Sequence, residues 1–198
     1  MKRKVRKTAF LSLLSTIGFL LMFVEVPLPM FPAFLKIGVS EIPALIGAIL
    51  FGPLAGMAVE FIKNVLHFLL TTQGGMAVGE LSNFIAGSTF VVVSVWLMRM
   101  LRQSKVNFWL GMTAGTMAMA FIMSVANYFI FIPAFAYVMG MSVSDIIGWS
   151  QQANSSITSL WTLIVYAILP FNLIKGIAEA VIAYPIYSRL RPVIQSGE

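Results

Sequence analysis

The sequence predicts an all-α polytopic membrane protein with six transmembrane helices and both termini in the cytoplasm. Three observations carry that reading. The 198 residues are 59% hydrophobic, with a mean hydropathy of +0.92. The apolar residues run in stretches long enough to span a bilayer. The basic residues collect at three places: the N-terminus (Lys2, Arg3, Lys4, Arg6, Lys7), the centre (Arg99, Arg102, Lys105) and the C-terminal end (Arg189, Arg191), which together hold 10 of the 13 Lys and Arg. Lys and Arg near span ends resist translocation, so all three places are assigned to the cytoplasmic side. A pI near 9.8 raises the question of DNA. Nucleic-acid binding needs those charges on a soluble face, and no soluble segment is present, so membrane lipid and not nucleic acid is the expected surrounding.

Two ends and a centre on one side require an even number of crossings in each half, and each spanning helix takes ~20 apolar residues. Thr8 to Val24 is the first. Glu25-Val26-Pro27-Leu28-Pro29 follows it without a small-residue cleavage site, so the span is read as helix 1 and not as a signal peptide. Residues 25-40 carry Pro27, Pro29 and Pro32, which cannot continue a helix and which favour extended backbone at each preceding residue. This stretch is predicted to be a structured external capping loop. Ile42 to Leu50 and Leu54 to Leu70 then form a tight helical hairpin turning at Gly52-Pro53 on the cytoplasmic side, although no basic residue adjoins that turn. A Gly-rich external loop is expected at 71-79, helix 4 from about Glu80 to Leu101, and helix 5 from about Phe108 to Val138. The polar stretch 139-156 is expected to return as an external loop. Helix 6 runs from Ile157 to Arg189, kinked at Pro170. External loops then hold Glu25, Lys36, Glu41 and Asp145 with a single basic residue among them. Residues 1-198 form one six-helix transmembrane domain.

Several chemistries are excluded by what is missing from the sequence. There is no cysteine, hence no disulfide, thiolate nucleophile or Cys metal site. The single histidine, His67, removes multi-histidine metal clusters, and no Gly-x-x-x-x-Gly-Lys-Ser/Thr motif is present to bind ATP. Gly-x-Ser-x-Gly is also absent. The chain is expected not to be an enzyme and to need neither metal nor cofactor.

The informative residues are the polar ones within helices, because a charged side chain in hydrocarbon costs ~2.5–3.5 kcal/mol on insertion scales and so faces a cavity or a partner. On helix 3, Glu60, Lys63, Asn64 and His67 share one face. An ion pair accounts for Glu60 and Lys63; Asn64 and His67 are candidates for a cavity. Glu80, Asn83 and Gly87 share a face of helix 4. The helix dipole accounts for an acid at Glu80 but not for Asn83. Helix 5 contributes Asn127, and helix 6 contributes Asn172 and Lys175 just after Pro170. An i,i+4 pair with Glu179 is the bland account of Lys175. Asn donates and accepts while Lys only donates, a set suited to a flat heterocycle with alternating carbonyl and N–H groups. Phe31, Phe34, Phe84, Tyr128 and Phe131 are the aromatic side chains available to stack on it.

Leu35-Lys36, Ser40-Glu41-Ile42-Pro43-Ala44-Leu45-Ile46-Gly47 and Phe51-Gly52-Pro53-Leu54-Ala55-Gly56 together resemble the helix 2–3 signature of the substrate-binding S components of energy-coupling factor (ECF) vitamin transporters. Within that family, Lys63-Asn64, Gly79-Glu80-x-x-Asn83-Phe84, Asn127-Tyr128 and Asn172-Leu173-Ile174-Lys175 are similar to the riboflavin-specific branch. The resemblance covers essentially the whole chain. It implies a high-affinity riboflavin receptor in the bacterial cytoplasmic membrane. The isoalloxazine edge would be held by Asn127, Asn172 and Lys175, and the vitamin capped by the 25-40 loop, Phe34 and Leu35 included. Glu80 and Asn83 would serve as ribityl or loop-anchoring groups, with Asn64 beside them.

The resemblance also implies partners: a transmembrane coupling subunit and two cytoplasmic ATPases on other chains. Family members dock through small residues of helix 1, often Ala-x-x-x-Ala. Here Ala9 is followed by Leu13, and Thr8, Ser12 and Thr16 supply a small-residue stripe instead. The readings in competition are an S component for another vitamin (thiamin, biotin, pantothenate or a queuosine precursor) and a structural membrane subunit that binds nothing.

Overall fold

The computed structural model describes residues 2–71, 77–101 and 104–195. Most of the Gly-rich loop expected at 71-79, and Arg102 of the central basic group, lie outside the described residues. Among the described residues, the chain is helical in its regular secondary structure apart from one two-stranded hairpin. In order it forms α1 (Lys2–Leu21), β1 (Val26–Pro27), β2 (Lys36–Ile37), α2 (Ile42–Phe51), α3 (Pro53–Thr71), α4 (Ala77–Met100) and α5 (Lys105–Ala126), which continues through a π turn (Asn127–Phe131) into α6 (Ile132–Val138). It then forms α7 (Val143–Ala153) and α8 (Leu160–Leu163), which continues through a second π turn (Ile164–Ile168) into α9 (Leu169–Gln195). Among the described residues, four stretches are long and apolar enough to cross a membrane: Pro53–Thr71, Ala77–Met100, Lys105–Val138 and Leu160–Leu190. α2 is apolar but has only ten residues, and α1 opens with basic residues so that its apolar run begins at Thr8.

α2 lies at the centre, against α1, α3, α4 and α9. Its Ala44, Leu45, Ala48 and Ile49 are buried, which explains why so short a helix has almost no polar residue. The turn into α3 uses Gly52 at φ 106°, a left-handed conformation that glycine takes without a Cβ clash. Pro53 then opens α3, where its missing N–H has no partner to lose. No basic residue adjoins this turn in sequence, but the fold brings one to it. Arg99 at the end of α4 donates through Nη2 to the carbonyls of Ala48 (3.4 Å) and Ile49 (3.2 Å), capping the negative end of α2, and Lys7 lies over the Phe51 ring. The turn therefore sits at the same end of the bundle as the three basic groups, the basic end. The opposite, loop end carries residues 22–41.

In that loop Val26 pairs with Ile37 and Pro27 with Lys36 in antiparallel register. Pro29 and Met30 form the corner of a turn closed by Phe31 N–H on the Leu28 carbonyl (3.2 Å), with Met30 at φ 67°. The structured loop expected at 25-40 is thus a small hairpin with tight turns.

Two expectations require correction. Residues 139-156 are not an open loop, because they contain α7. Ser142 and Asp145 form a capping box at its start, and Ile146, with Val143 and Ile147 beside it, packs into an apolar cluster with Ile132, Ile157 and Leu163. The expectation failed because a few apolar residues at helical spacing were outnumbered by Ser, Asn and Gln. Helix 6 begins at Leu160 and not at Ile157, after a cap by Ser159 and Thr162, and Ile157 is buried ahead of it. The distortion expected at Pro170 is the π turn immediately before it, and an equivalent turn precedes Pro133. Proline removes an i→i−4 bond and its ring clashes with that carbonyl; a widened turn relieves both, and such turns recur at functional sites.

Candidate functional site

A cavity of about 330 Å³ opens at the loop end, within the range of small-molecule sites. The 22–38 segment lines it with Met22, Glu25, Phe34, Leu35 and Lys36; α3 and α4 add His67, Glu80 and Asn83; α9 and the α5–α6 rod add Phe171, Asn172, Lys175, Asn127, Phe131 and Phe135. Of the residues singled out in the sequence, Phe34, Leu35, Glu80, Asn83, Asn127, Asn172 and Lys175 are brought together here. Asn64 is not on the lining.

Both π turns serve this cavity. Asn127 starts one, and Asn172 follows the other by four residues. Each amide Nδ2 donates one turn back, Asn127 to the Met123 carbonyl and Asn172 to the Ile168 carbonyl, both at 2.8 Å. That fixes the two side chains and leaves each Oδ1 as an acceptor toward the cavity. Asn83 donates to Asn64 Oδ1 at 3.2 Å, and Asn64 donates to the Glu60 carbonyl at 2.8 Å. Asn64 therefore stands behind Asn83 and orients it. His67 Nδ1 lies 2.5 Å from Glu80 Oε1, its ring packed against Phe19 and Phe23. Among the other aromatic candidates, Phe31 packs on Phe171, Phe84 on Phe61 and Tyr128 on Phe129 and Trp161.

Lys175 reaches the cavity from a buried cluster of charge. Its Nζ lies 2.8 Å from Glu41 Oε1 and 3.9 Å from Glu179 Oε1. The i,i+4 pair with Glu179 is thus secondary to a contact made 134 positions away in sequence. Lys63 Nζ lies 3.0 Å from Glu60 Oε2, 3.6 Å from Glu41 Oε1 and 3.0 Å from Ser40 Oγ. The Glu60–Lys63 pair is present, and it belongs to a larger network. Its position in the sequence assigns Glu41 to an external loop. It is 1% exposed, at the point where the loop enters α2, and joins the loop to α3 and α9. The signal for it lay in its position: an acid directly before an apolar helix, in a chain with buried lysines to match. At the loop itself, burial pushes the Glu25 carboxyl above its ordinary range, and the nearby Lys175 ammonium opposes that shift.

On α1, Thr8, Ala9, Ser12 and Thr16 are exposed, while Leu14 and Ser15 are buried. Thr8 donates to the Lys4 carbonyl and Thr16 to the Ser12 carbonyl, so these hydroxyls are satisfied within the helix and the stripe presents small, flat side chains.

The chain matches the family model of the ECF transporter substrate-specific component over residues 6–187. It is 38% identical to the riboflavin transporter FmnP of Bacillus subtilis over 194 residues, 97% of this chain and 95% of that protein. It is 34% identical to the riboflavin transporter RibU of Staphylococcus aureus over 91% of this chain and 87% of that protein. A solved S component of a bacterial ECF transporter superposes with a TM-score of 0.77 at 29% identity, covering 96% of this chain and 98% of that one. The chain belongs to the substrate-specific components of ECF transporters.

Proposed function

We propose that this chain is the riboflavin-binding S component of an ECF transporter, crossing the bacterial cytoplasmic membrane six times with its basic end in the cytoplasm. The observation that carries the reading is the convergence of Asn127, Asn172, Lys175 and Asn83 on one cavity with Phe34 and Leu35 of the hairpin loop. The carboxamides of Asn127 and Asn172 and the Lys175 ammonium, among apolar and aromatic walls, suit a planar ring system with a polar edge, and the names of its relatives support riboflavin as that ring. Glu80 and Asn83, near the entrance of α4, are then available to the ribityl chain. The orientation is supported by the basic groups gathered at one end, now joined by the Gly52 turn through Arg99.

In this reading riboflavin enters from outside, beneath the 25-40 loop. The loaded protein then engages a membrane-embedded coupling subunit through the Thr8, Ala9, Ser12 and Thr16 stripe, where small side chains allow close helix approach. Two cytoplasmic ATPases supply the energy that this chain has no motif to provide. Toppling of the S component within the membrane presents the site inward.

The test is the absorption spectrum of protein purified from cells grown with riboflavin and washed extensively, with mass spectrometry of whatever is released. Near one equivalent of riboflavin is expected. A colourless preparation that also fails to quench added riboflavin fluorescence would sink the assignment; a panel of other vitamins would then separate another specificity from a subunit that binds nothing.

A further inference from the structure

The buried cluster contains three carboxyl groups, Glu41, Glu60 and Glu179, and two ammonium groups, Lys63 and Lys175, all 7% exposed or less. Fully ionised, it carries one unmatched negative charge. Among the described residues the neighbouring helices offer no further compensation. α1 faces Lys63 with Gly18, α4 faces Glu60 with Gly87, and α5 faces the Lys175 turn with Thr116 against Gly176. From the loop, Glu25 and Lys36 bring one charge of each sign. The next titratable groups on the cavity wall, His67 and Glu80, are paired with each other.

The unmatched charge can be placed. Glu41 is well supplied with donors: Oε1 has Lys175 at 2.8 Å and Lys63 at 3.6 Å, and Oε2 has the Ser40 hydroxyl at 3.4 Å. Glu60 has an ion pair with Lys63 at 3.0 Å, although neither of its oxygens has an aligned hydrogen-bond donor. Glu179 is completely buried, and among the described residues no donor reaches either of its oxygens. Its carboxyl group instead meets that of Glu41 at Lys175, whose Nζ lies 3.9 Å from Glu179 Oε1 and 2.8 Å from Glu41 Oε1. Two buried carboxyls drawn to one ammonium repel each other when both are ionised, and a buried carboxylate without a donor is neutralised sooner than left charged.

We propose that the cluster is a proton-binding site, with one proton held by Glu179. The proton also has a role at the cavity. A neutral Glu179 does not compete with Glu41 for Lys175, so the ammonium stays on Glu41, where it lines the cavity. Loss of the proton turns Glu179 into a second anionic partner 3.9 Å from Lys175 and sets it against Glu41.

The test is infrared spectroscopy of the full chain in lipid at pH 7, following the carbonyl stretch of protonated carboxylic acid and its shift in D2O. Wild type is expected to show a protonated carboxyl band, and Glu179→Gln to lose it, while Glu60→Gln keeps it. Glu41→Gln provides a second arm. It frees Lys175 to pair with an ionised Glu179, so the band is expected to disappear there as well, whereas Glu60→Gln frees only Lys63, whose carboxylate partners are Glu60 and Glu41. A wild-type spectrum with every carboxyl ionised at pH 7, as when a sodium ion supplies the missing charge, overturns the proposal. So does a band that survives Glu179→Gln and goes with Glu60→Gln. A second readout rests on the riboflavin reading: affinity is expected to fall as alkaline pH removes the proton, and Glu179→Gln to abolish that dependence. The infrared measurement needs no ligand, so failure of the proton site and failure of the riboflavin assignment are distinguishable.

Discussion

Along the single rod formed by α5 and α6, the two ends of the bundle handle packing in opposite ways. Toward the basic end, Gly111 and Gly115 let α5 approach α4 so closely that a Cβ on Gly115 would stand 2.7 Å from the Phe90 carbonyl oxygen, and one on Gly111 2.6 Å from that of Ser94. Phe90, Phe108, Met98, Met112 and Met119 fill the remaining space, each 1% exposed or less. Twelve residues beyond Gly115 the same rod widens into a π turn at Asn127 and lines a cavity. The lesson is that close helix contact and regular hydrogen bonding go together here. A binding site needed both to be relaxed, and the polar groups freed by relaxation had to be held by each other.

That contrast is most easily broken at Glu41. The carboxylate serves Lys63 and Lys175 together, and removing one partner of a buried ion pair costs ~3–5 kcal/mol because charge is left uncompensated. Glu41→Ala is expected to lower the thermal midpoint of the ligand-free protein sharply. A midpoint equal to the parent's would mean that the loop end does not depend on its charge network. Lys175→Ala and Asn127→Ala probe the same end through the ligand. A buried flavin group left without its partner costs ~1–3 kcal/mol, so riboflavin is expected to bind ~5- to 150-fold more weakly by fluorescence titration. Affinity at the parental level in both variants would remove these residues from the site.

The basic end should respond in the reverse sense. Gly115→Ala places a methyl group against the Ser94 hydroxyl and the Phe90 carbonyl, and overpacking of this kind costs ~1–3 kcal/mol. The thermal midpoint is expected to fall while riboflavin affinity holds, because the substitution lies more than three helical turns from Asn127. If affinity fell as much as stability, the two ends would not be independent.

How far the sequence was legible follows the same division. The long apolar helices and the Gly52-Pro53 hairpin are readable because hydropathy and turn chemistry are local signals, and the stretches expected for α3, α4 and the α5–α6 rod are helical in the structure. Asn127, Asn172 and Lys175 stood out because polar residues inside apolar helices are costly and therefore few. Partner choice was not legible. Lys175 has an acid four residues away at Glu179 but rests on Glu41, and Arg99 caps a helix 50 positions earlier in the chain. Such contacts depend on which helices the fold brings together, a fact that spacing along one helix does not contain. The π turns escaped notice for a similar reason: Pro170 announces a distortion, but whether it becomes a kink or a widened turn is decided by the neighbours.

The smallest expected effect concerns α7, the helix hidden in a polar stretch. Asp145 is exposed, and its hydrogen bonds from the Ser142 hydroxyl and backbone N–H hold its carboxyl below the ordinary range. A carboxyl lowered on folding stabilises the folded helix above the unfolded value, about pH 4, and that contribution is lost as pH falls through the folded value. Hydrogen exchange of the amides at the start of α7 is therefore expected to be slow at neutral pH. Once corrected for the intrinsic exchange rate, protection should decrease on acidification. Asp145→Asn should remove most of the pH dependence while riboflavin affinity changes little, since Ile146, not Asp145, is the α7 residue that lines the cavity. An Asp145→Asn protein that lost riboflavin binding would show that α7 is coupled to the cavity through its cap. The site would then extend beyond the charged cluster and the two π turns to α7.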